Sequence, residues 1–274
     1  MPGIVGLITK QARQHAEREL QCMVQALCHE PFYESGTWVD EPSGVYVGWI
    51  TREDAAPGGR PIENGRGDKT LLLTGEEYSG SVTGDRTYLV DLADKDAAFP
   101  ACLNGRFQGL LHDKTSGTAL LFNDRYGMHR IYYHESREAF YFAAEAKAIL
   151  AVRPELRRID PRGMGELVSC GCVLENRSVF KNINVLPPAS AWEFRNGTLE
   201  RSGSYFDPKA WEDQGPLELE AYYHQLHEIF SRNVPKYFGG HHPIGMSLTG
   251  GLDSRMIMAW LKAAPGSVPC YSFG

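Results

Sequence analysis

Short apolar runs separated by turn residues recur along the first half of the chain and predict β-strands. These runs occupy residues 3–9, 44–50, 70–74, 107–112, 118–124, 131–134 and 139–143. A helix is predicted over residues 15–28, where Leu20, Met23 and Leu27 share one face, and another over residues 145–151. Many short strands with few helices indicate two stacked sheets between helices, an α+β fold.

The last quarter of the chain has a helical pattern followed by two apolar runs. Residues 217–234 carry apolar side chains at three- and four-residue spacing and predict an amphipathic helix whose polar side includes His224 and His227. Its predicted buried stripe consists of Leu219, Tyr223, Leu226, Phe230 and Val234. Residues 245–248 and 268–273 are predicted to be neighbouring parallel strands joined by a helix at 253–263, which makes one βαβ unit.

A glycine-rich loop, SLTGGLDSR, lies between the first strand and the helix of this unit. Gly250 and Gly251 let backbone N–H groups approach an anion, and the helix directs the positive end of its dipole to the same point. Thr249 and Ser254 can donate hydrogen bonds to phosphate, and Asp253 offers a hard oxygen to Mg²⁺. The loop lacks the Walker A and dinucleotide-binding patterns. The alternative is an ordinary strand-to-helix turn with Asp253 or Ser254 as the N-cap.

The string S-x-T-G-G-x-D-S resembles the S-G-G-x-D-S loop of the PP-loop pyrophosphatases, with Thr249 in place of the usual serine. In that family the loop binds pyrophosphate and the aspartate helps to hold magnesium. The resemblance therefore implies ATP and Mg²⁺ as cofactors, with Asp253 as the metal ligand. It also makes Leu248 and Phe273 candidate contacts of the adenine base.

The N-terminal part resembles the class II glutamine amidotransferases. Its first residues, MPGIVG, are similar to M-C-G-I-x-G, in which the second residue becomes an N-terminal cysteine nucleophile. Further matches follow in order, namely TGEEYS from Thr74, LNGRF from Leu103, NDRYGMHRIYY from Asn123 and FAAEAKAIL from Phe142. Together with the PP-loop, they resemble the asparagine synthetase family, in which a glutaminase domain precedes an ATP-using synthetase domain.

This resemblance implies the four-layer αββα sandwich of the N-terminal-nucleophile hydrolases, followed by the first βαβ unit of an α/β PP-loop domain. We place the glutaminase-like domain at residues 1–201, a linker at 202–216 and the start of the ATP-binding domain at 217–274. The family reaction is adenylation of a carboxylate, with release of pyrophosphate, and attack by ammonia or an amine to form an amide. The acyl-binding residues would lie beyond Gly274, so the synthetase domain is expected to be incomplete.

Three positions depart from the glutaminase pattern. Pro2 occupies the nucleophile position and has no thiol, although a terminal proline amine could act as a base; proline at the start of a strand is the simpler interpretation. Thr74, followed by Gly75, replaces the asparagine of the oxyanion hole, where loss of one donor costs about 10²–10³ in rate. Thr51 stands where relatives carry the arginine that binds the glutamine carboxylate. We therefore expect an inactive glutaminase.

Composition excludes several classes of protein. The net charge is −6, so the chain lacks the basic surface expected of a nucleic-acid-binding protein or of a PP-loop enzyme that acts on tRNA. No apolar run is long enough for a membrane span, and no signal peptide precedes the first strand, so a cytoplasmic location is expected. The six cysteines are predicted to be buried thiols rather than disulfides; Cys170 and Cys172 would share one face if they lay on a strand, where they could form half of a metal site.

Two functional interpretations remain. The first is an amide-bond ligase, as in asparagine biosynthesis, that takes nitrogen from ammonia or from an amine of its substrate. The second is a non-catalytic fragment or module that acts through a partner, because a lone βαβ unit exposes a sheet edge and apolar surface. The expected partners are ATP and a carboxylate substrate, a second copy in a homodimer, or a missing C-terminal segment.

Restoring the thiol tests the three departures. We expect Pro2→Cys alone to release no measurable ammonia from glutamine, because Thr51 and Thr74 still leave the carboxylate and the oxyanion without their partners. The measurement is coupled detection of ammonia, with Pro2→Ser as the matched variant that lacks a thiol. Robust turnover by Pro2→Cys would refute the roles given to Thr51 and Thr74.

Overall fold

A computed structural model describes residues 3–52, 59–78, 86–96, 98–239 and 244–273. Pro2 therefore lies outside the described residues. The chain divides into two compact units, with the boundary between Asp207 and Pro208. This boundary falls inside the predicted linker, and each unit is described by itself below.

Two antiparallel sheets form the body of the larger unit. Its strands are β1 (Gly3–Thr9), β2 (Tyr33–Asp40), β3 (Val45–Arg52), β4 (Ile62–Glu63), β5 (Lys69–Glu77), β6 (Gly105–Asp113), β7 (Thr118–Asn123), β8 (Tyr132–Glu135), β9 (Ala139–Ala143), β10 (Asn184–Val185), β11 (Ala191–Arg195) and β12 (Thr198–Arg201). The first sheet has the order β10-β8-β9-β1-β3-β2, and the second has the order β12-β11-β7-β6-β5-β4.

The helices of this unit are α1 (Arg13–Leu27), α2 (Thr87–Lys95), α3 (Ala146–Val152) and α4 (Pro161–Cys170). Apolar side chains of α1 and α3 pack on one face of the first sheet, and those of α2 pack on the outer face of the second sheet. Between the sheets, residues such as Ile4, Val47 and Phe142 meet Leu72 and Leu110. The layer order is thus helix, sheet, sheet, helix, which confirms the predicted α+β sandwich.

Strand β1 lies at the centre of this arrangement. All seven of its residues are buried, because Val5 and Leu7 face the helices while Ile4 and Ile8 face the other sheet. Burial on both faces explains why β1 reads as a continuous apolar run rather than as an alternating one. The strand pairs with β3 on one side and with β9 on the other.

Some sequence predictions were wrong. Helices α2 and α4 were missed because only two residues of α2 and one of α4 are buried, so neither carries a long apolar stripe. The prediction of buried thiols was wrong for Cys22, Cys170, Cys172 and Cys270, which are exposed. Cys170 and Cys172 do not share a strand, since Cys170 is the last residue of α4 and Gly171 ends the helix in the left-handed conformation, at φ 74°. Glycine is favoured there because it has no Cβ.

The smaller unit contains two helices and a parallel strand pair. Helix α5 (Leu219–Phe238) packs on α6 (Leu252–Leu261), and β13 (Met246–Ser247) pairs in parallel with β14 (Cys270–Tyr271). The predicted stripe on α5 was wrong in part, because Leu219 and Tyr223 are exposed. His224 and His227 are exposed, as predicted, and the His227 ring also contacts that of Trp260 on α6 at 4.5 Å. Among the described helices, none is long and apolar enough to cross a membrane.

His112 on β6 shows how a polar side chain is held between the sheets. The side chain is completely buried, and its Nε2 atom lies 3.0 Å from Ser43 Oγ and 3.5 Å from Asp40 Oδ2. Burial lowers the pKa of His112, with a smaller contribution from Lys114, while Asp40 and Asp113 oppose this. Since the folded protein resists protonation of the ring, acid should favour the unfolded chain.

The pH dependence of stability tests this arrangement. The free energy of unfolding should fall as the pH drops below about 6.5, the ordinary pKa of histidine in an unfolded chain, and should be unaffected by His112 above it. In His112→Gln, which keeps a hydrogen-bonding group but cannot titrate, this decrease should be shallower. Urea unfolding at several pH values between 8 and 5, on either side of that pKa, measures the free energy of unfolding. Parallel profiles for the wild type and the variant would contradict the prediction.

Candidate functional site

The predicted glutaminase residues lie at one end of the layer between the two sheets. Thr51 on β3 and Thr74 on β5 are both buried. Thr51 follows Trp49 at a spacing of two, and Thr74 follows Leu72; since Trp49 and Leu72 pack in the inter-sheet core, both threonines point into the same layer. Thr51 therefore lines the layer between the two sheets.

The start of β1 lies at the same end of the sandwich. Gly3 pairs with Ile50, the neighbour of Thr51. A Cβ atom at Gly3 would come within 2.6 Å of Gln108 Nε2 and 2.3 Å of Ala144 Cβ, so the Gln108 carboxamide packs directly against the Gly3 backbone. The space beside the first described residue of β1 is thus filled by side chains of β6 and of the segment after β9.

A row of buried polar side chains crosses the second sheet here. Thr74, Gln108 and Asn123 lie opposite one another on β5, β6 and β7. Asn123 is fully paired, because its amide nitrogen donates to the Pro187 carbonyl at 2.9 Å and its oxygen accepts from Ser190 N at 2.8 Å. Among the described residues, Thr74 Oγ1 and Gln108 Oε1 have no hydrogen-bond partner.

Sequence reasoning missed Gln108 and Asn123 as members of this site. A signal was present, since both are polar residues at inward-facing positions of otherwise apolar strands. Such a residue must find a partner inside the protein or line a site, because burial of an unpaired polar group costs about 1–3 kcal/mol. The alternation of inward- and outward-facing positions along β6 and β7 would therefore have identified Gln108 and Asn123.

Gly75 allows β5 and β6 to approach closely. Its φ is 108°, and a Cβ atom would lie 2.1 Å from the Arg106 carbonyl oxygen. No other residue fits this position without a shift of the backbone. Gly75 is therefore required by the pairing of the strands, whatever role it has in an oxyanion hole.

Glu76, next to Gly75, is a carboxylate that is already engaged. It accepts hydrogen bonds from Arg106 Nη2 at 2.6 Å and from the Tyr78 hydroxyl at 2.5 Å. Burial raises the pKa of Glu76, but these two hydrogen bonds outweigh it and hold the pKa below its ordinary value. Burial and the Glu76 carboxylate raise the pKa of Tyr78 to about 12. The group is an ion pair at neutral pH, with Tyr78 protonated.

Asp124 explains the strong motif that begins at Asn123. The carboxylate is completely buried and accepts hydrogen bonds from backbone N–H groups at distances of 2.9–3.3 Å. The donors are Phe107, Tyr126, Met128 and His129. An acid with so many donors stabilises the turn after β7 and connects it to β6, so this part of the motif is structural.

The described residues at this end of the layer include no thiol on their strands, since β1, β3, β5 and β6 carry no cysteine. The described buried side chains that point into it, Thr51, Thr74 and Gln108, are all neutral. These side chains supply neither a thiolate nor a cation.

The predicted phosphate loop lies in the smaller unit and is closed by its own side chains. Thr249 N donates to Ser254 Oγ at 3.2 Å, and Gly251 N donates to Thr249 Oγ1 at 3.2 Å. The two hydroxyl oxygens lie 3.3 Å apart. Asp253 is exposed in the first turn of α6, and Gly250 is exposed beside Gly251. The hydroxyls therefore compete for the same N–H groups that an anion would use.

The N-cap of α6 is Gly251, which has an extended conformation, so the suggested caps Asp253 and Ser254 were wrong. Leu248 is half-buried, and its N–H donates to the Tyr271 carbonyl at 2.8 Å. Phe273 is 86% exposed, and its ring contacts that of Tyr271 at 5.6 Å. The two predicted adenine contacts thus lie just after the two parallel strands, Leu248 after β13 and Phe273 after β14. Within the described residues, no cluster of three or more possible metal ligands is present.

Comparison with known proteins shows what the larger unit is similar to. Residues 89–206 match the family described as glutamine amidotransferase domain. Two asparagine synthetases (glutamine-hydrolysing) of Bacillus subtilis, numbers 2 and 1, are each 22% identical over 94% and 100% of this chain. The chain covers 38% and 46% of their lengths, less than half of either relative.

Solved structures are similar at lower identity. The glutamine phosphoribosylpyrophosphate amidotransferase of B. subtilis, in complex with ADP and GMP, gives a TM-score of 0.47 at 9% identity, over 98% of this chain and 65% of that one. A structure titled as the allosteric regulatory enzyme of purine biosynthesis gives 0.49 at 10% identity, over 98% and 64%.

Replacement of Thr74 tests its unpaired hydroxyl. Thr74→Val keeps the shape of the side chain and removes the unpaired oxygen, so it should raise the free energy of unfolding by about 0.5–2 kcal/mol. Thr9→Val is the matched control, because the Thr9 hydroxyl is buried, donates to the Glu138 carbonyl at 2.7 Å and accepts from Gln11 N. It should lower stability by about 1–3 kcal/mol. Equal losses in urea unfolding would show that Thr74 has a partner.

Proposed function

We propose that this chain is an asparagine synthetase-like protein in which the amidotransferase domain no longer hydrolyses glutamine. In this proposal the following domain binds ATP and Mg²⁺ and belongs to a ligase that forms AMP, pyrophosphate and an amide bond. The nitrogen comes from ammonia or from an amine of the substrate. The proposal rests above all on one observation, the buried and neutral row of Thr74 and Gln108 at the end of the inter-sheet layer.

The loss of glutamine hydrolysis is supported at each step of that reaction. Pro2 supplies no thiol to attack the amide carbon. Thr51 is neutral and buried, so it cannot pair with the carboxylate of glutamine. The Thr74 hydroxyl is shorter than an asparagine amide and replaces it as the oxyanion donor. The Gln108 side chain also packs against Gly3, next to the position of the missing nucleophile.

The binding of ATP is supported by the composition and position of the loop before α6. Thr249 Oγ1 lies 3.2 Å from Gly251 N and 3.3 Å from Ser254 Oγ, so three possible donors to an anion lie close together. Asp253 carries an exposed carboxylate in the first turn of the helix, where it can reach a magnesium ion bound to the phosphates. Leu248 and Phe273 are proposed to contact the adenine. Similarity to the asparagine synthetases extends over the whole chain and so includes this loop.

A second candidate function is a module that does not catalyse a reaction. Its support is the exposed apolar surface of the smaller unit, where Leu219 is 66%, Leu252 71% and Phe273 86% exposed. In isolated globular proteins, exposed apolar residues usually occur singly. A larger exposed apolar patch often marks an interaction site.

Nucleotide binding separates the two candidates. We expect Mg²⁺–ATP to bind with a 1:1 stoichiometry in calorimetry, and Asp253→Asn to weaken binding at least about tenfold, because a hydrogen bond or metal contact to a charged group is lost. Asp213→Asn, another exposed acidic residue of the same unit, is the matched control and should bind ATP like the wild type. We expect no ATP–pyrophosphate exchange by this chain alone.

Two results would contradict the proposal. Absence of ATP binding by a folded chain would favour the non-catalytic module. Equal effects of Asp253→Asn and Asp213→Asn would show that nucleotide binds away from the loop before α6.

A further inference from the structure

Two cysteines outside the amidotransferase site form an exposed pair at the end of α4. Cys170 is the last residue of this helix, and Cys172 follows after a single glycine. Both are exposed. The Sγ atom of Cys170 lies 3.8 Å from Ser169 Oγ, and a side chain at Gly171 would meet no atom within 4 Å, so the protein leaves this turn open to solvent.

The conformation of Gly171 sets the distance between the two cysteines. With φ 74° and ψ 0°, the residue is in the left-handed helical region, and its N–H donates to the Leu167 carbonyl at 3.0 Å. A residue in this region brings the Cα atoms of its neighbours to about 5–6 Å. Disulfide bonds require about 4.4–6.8 Å between Cα atoms, so the closed turn is compatible with a bond between Cys170 and Cys172.

A metal site is the other chemistry that two thiols offer. Structural zinc requires four ligands, and the described residues contain no group of three or more cysteine, histidine or acidic side chains that could hold an ion. The remaining cysteines with exposed side chains, Cys22 and Cys270, have no cysteine within two residues in the sequence. The pair is thus suited to dithiol chemistry rather than to a structural metal.

We propose that Cys170 and Cys172 form a dithiol site that reduces low-molecular-weight disulfides and closes to an intramolecular disulfide. In the first step, one thiolate attacks a sulfur of glutathione disulfide, which forms a protein–glutathione mixed disulfide and releases one glutathione thiolate. The second cysteine then attacks the protein sulfur of that mixed disulfide, forms the Cys170–Cys172 bond and releases the second glutathione. The two cysteine protons end on the two glutathione thiolates, so the dithiol is oxidised and one disulfide is reduced.

The second step is favoured by proximity. Because the resolving thiol is two residues away and fixed by the turn at Gly171, its effective concentration exceeds that of free glutathione at comparable dose. A lone exposed cysteine such as Cys270 lacks this partner and stops at the mixed disulfide. The difference between these two outcomes is directly measurable, and it does not depend on the proposed function.

Peptide mass spectrometry provides the test. The folded protein is treated with glutathione disulfide at a dose that modifies Cys270, remaining thiols are alkylated, and the protein is digested with trypsin without reduction. Cleavage after Arg162 and Arg177 yields a peptide that contains Cys170 and Cys172 and no other cysteine. We expect this peptide to lack two hydrogen atoms and to carry neither alkyl nor glutathione groups, while the Cys270 peptide carries one glutathione.

The matched variants are Cys172→Ser and Cys170→Ser, in which the remaining thiol should stop at the mixed disulfide. A synthetic peptide of residues 163–177 tests the contribution of the turn: the folded protein should close at a several-fold lower ratio of glutathione disulfide to glutathione. A wild-type peptide that is doubly alkylated, or that carries glutathione, at the dose that modifies Cys270 would overturn the proposal. If the Cys170–Cys172 disulfide formed in the folded protein only at the same ratio of glutathione disulfide to glutathione as in the synthetic peptide, the role of Gly171 would be overturned.

Discussion

The interface between the two sheets is the constraint on which the rest of this molecule depends. It is an apolar layer in which side chains such as Ile4, Phe142 and Leu110 pack together, and a polar side chain that points into it must find its partner there. Asp124 satisfies this with backbone N–H groups, and Asn123 does so with the segment before β11. Within the part of the chain that the structure describes, Thr74 Oγ1 and Gln108 Oε1 at the candidate site have no partner, and Thr70 Oγ1 and His112 Nδ1 further along the same strands also have none.

The sandwich does not require the chemistry of a glutaminase. Its inter-sheet core is built from aliphatic and aromatic side chains, and Thr51 and Thr74 contribute no large apolar surface to it. Replacement of either threonine therefore leaves the packing that holds the sheets together. The fold and the candidate site use different side chains of the same strands.

Much of the architecture could be predicted from the sequence, because the strands of the sandwich carry strong apolar runs. Strand β1 and helix α1 are the clearest cases. Every residue of β1 is buried, and the buried residues of α1 lie on one face of the helix, so both show a clear apolar pattern. Helices α2 and α4 could not be found in this way, as each buries only one or two residues. Leu219 and Tyr223 were wrongly assigned to the buried stripe of α5, because which apolar residues of this helix are covered depends on where α6 lies.

For the candidate site, the motifs identified Thr51, Thr74 and Gly75, but not their surroundings. The pairing of Thr74 with Gln108 across β5 and β6 depends on strand register, which a single sequence does not specify. The close approach at Gly3 has a consequence for protein engineering. Since the Gln108 carboxamide packs against Gly3, a designer who wishes to make room for an amino-acid ligand beside β1 must first shorten the side chain on β6.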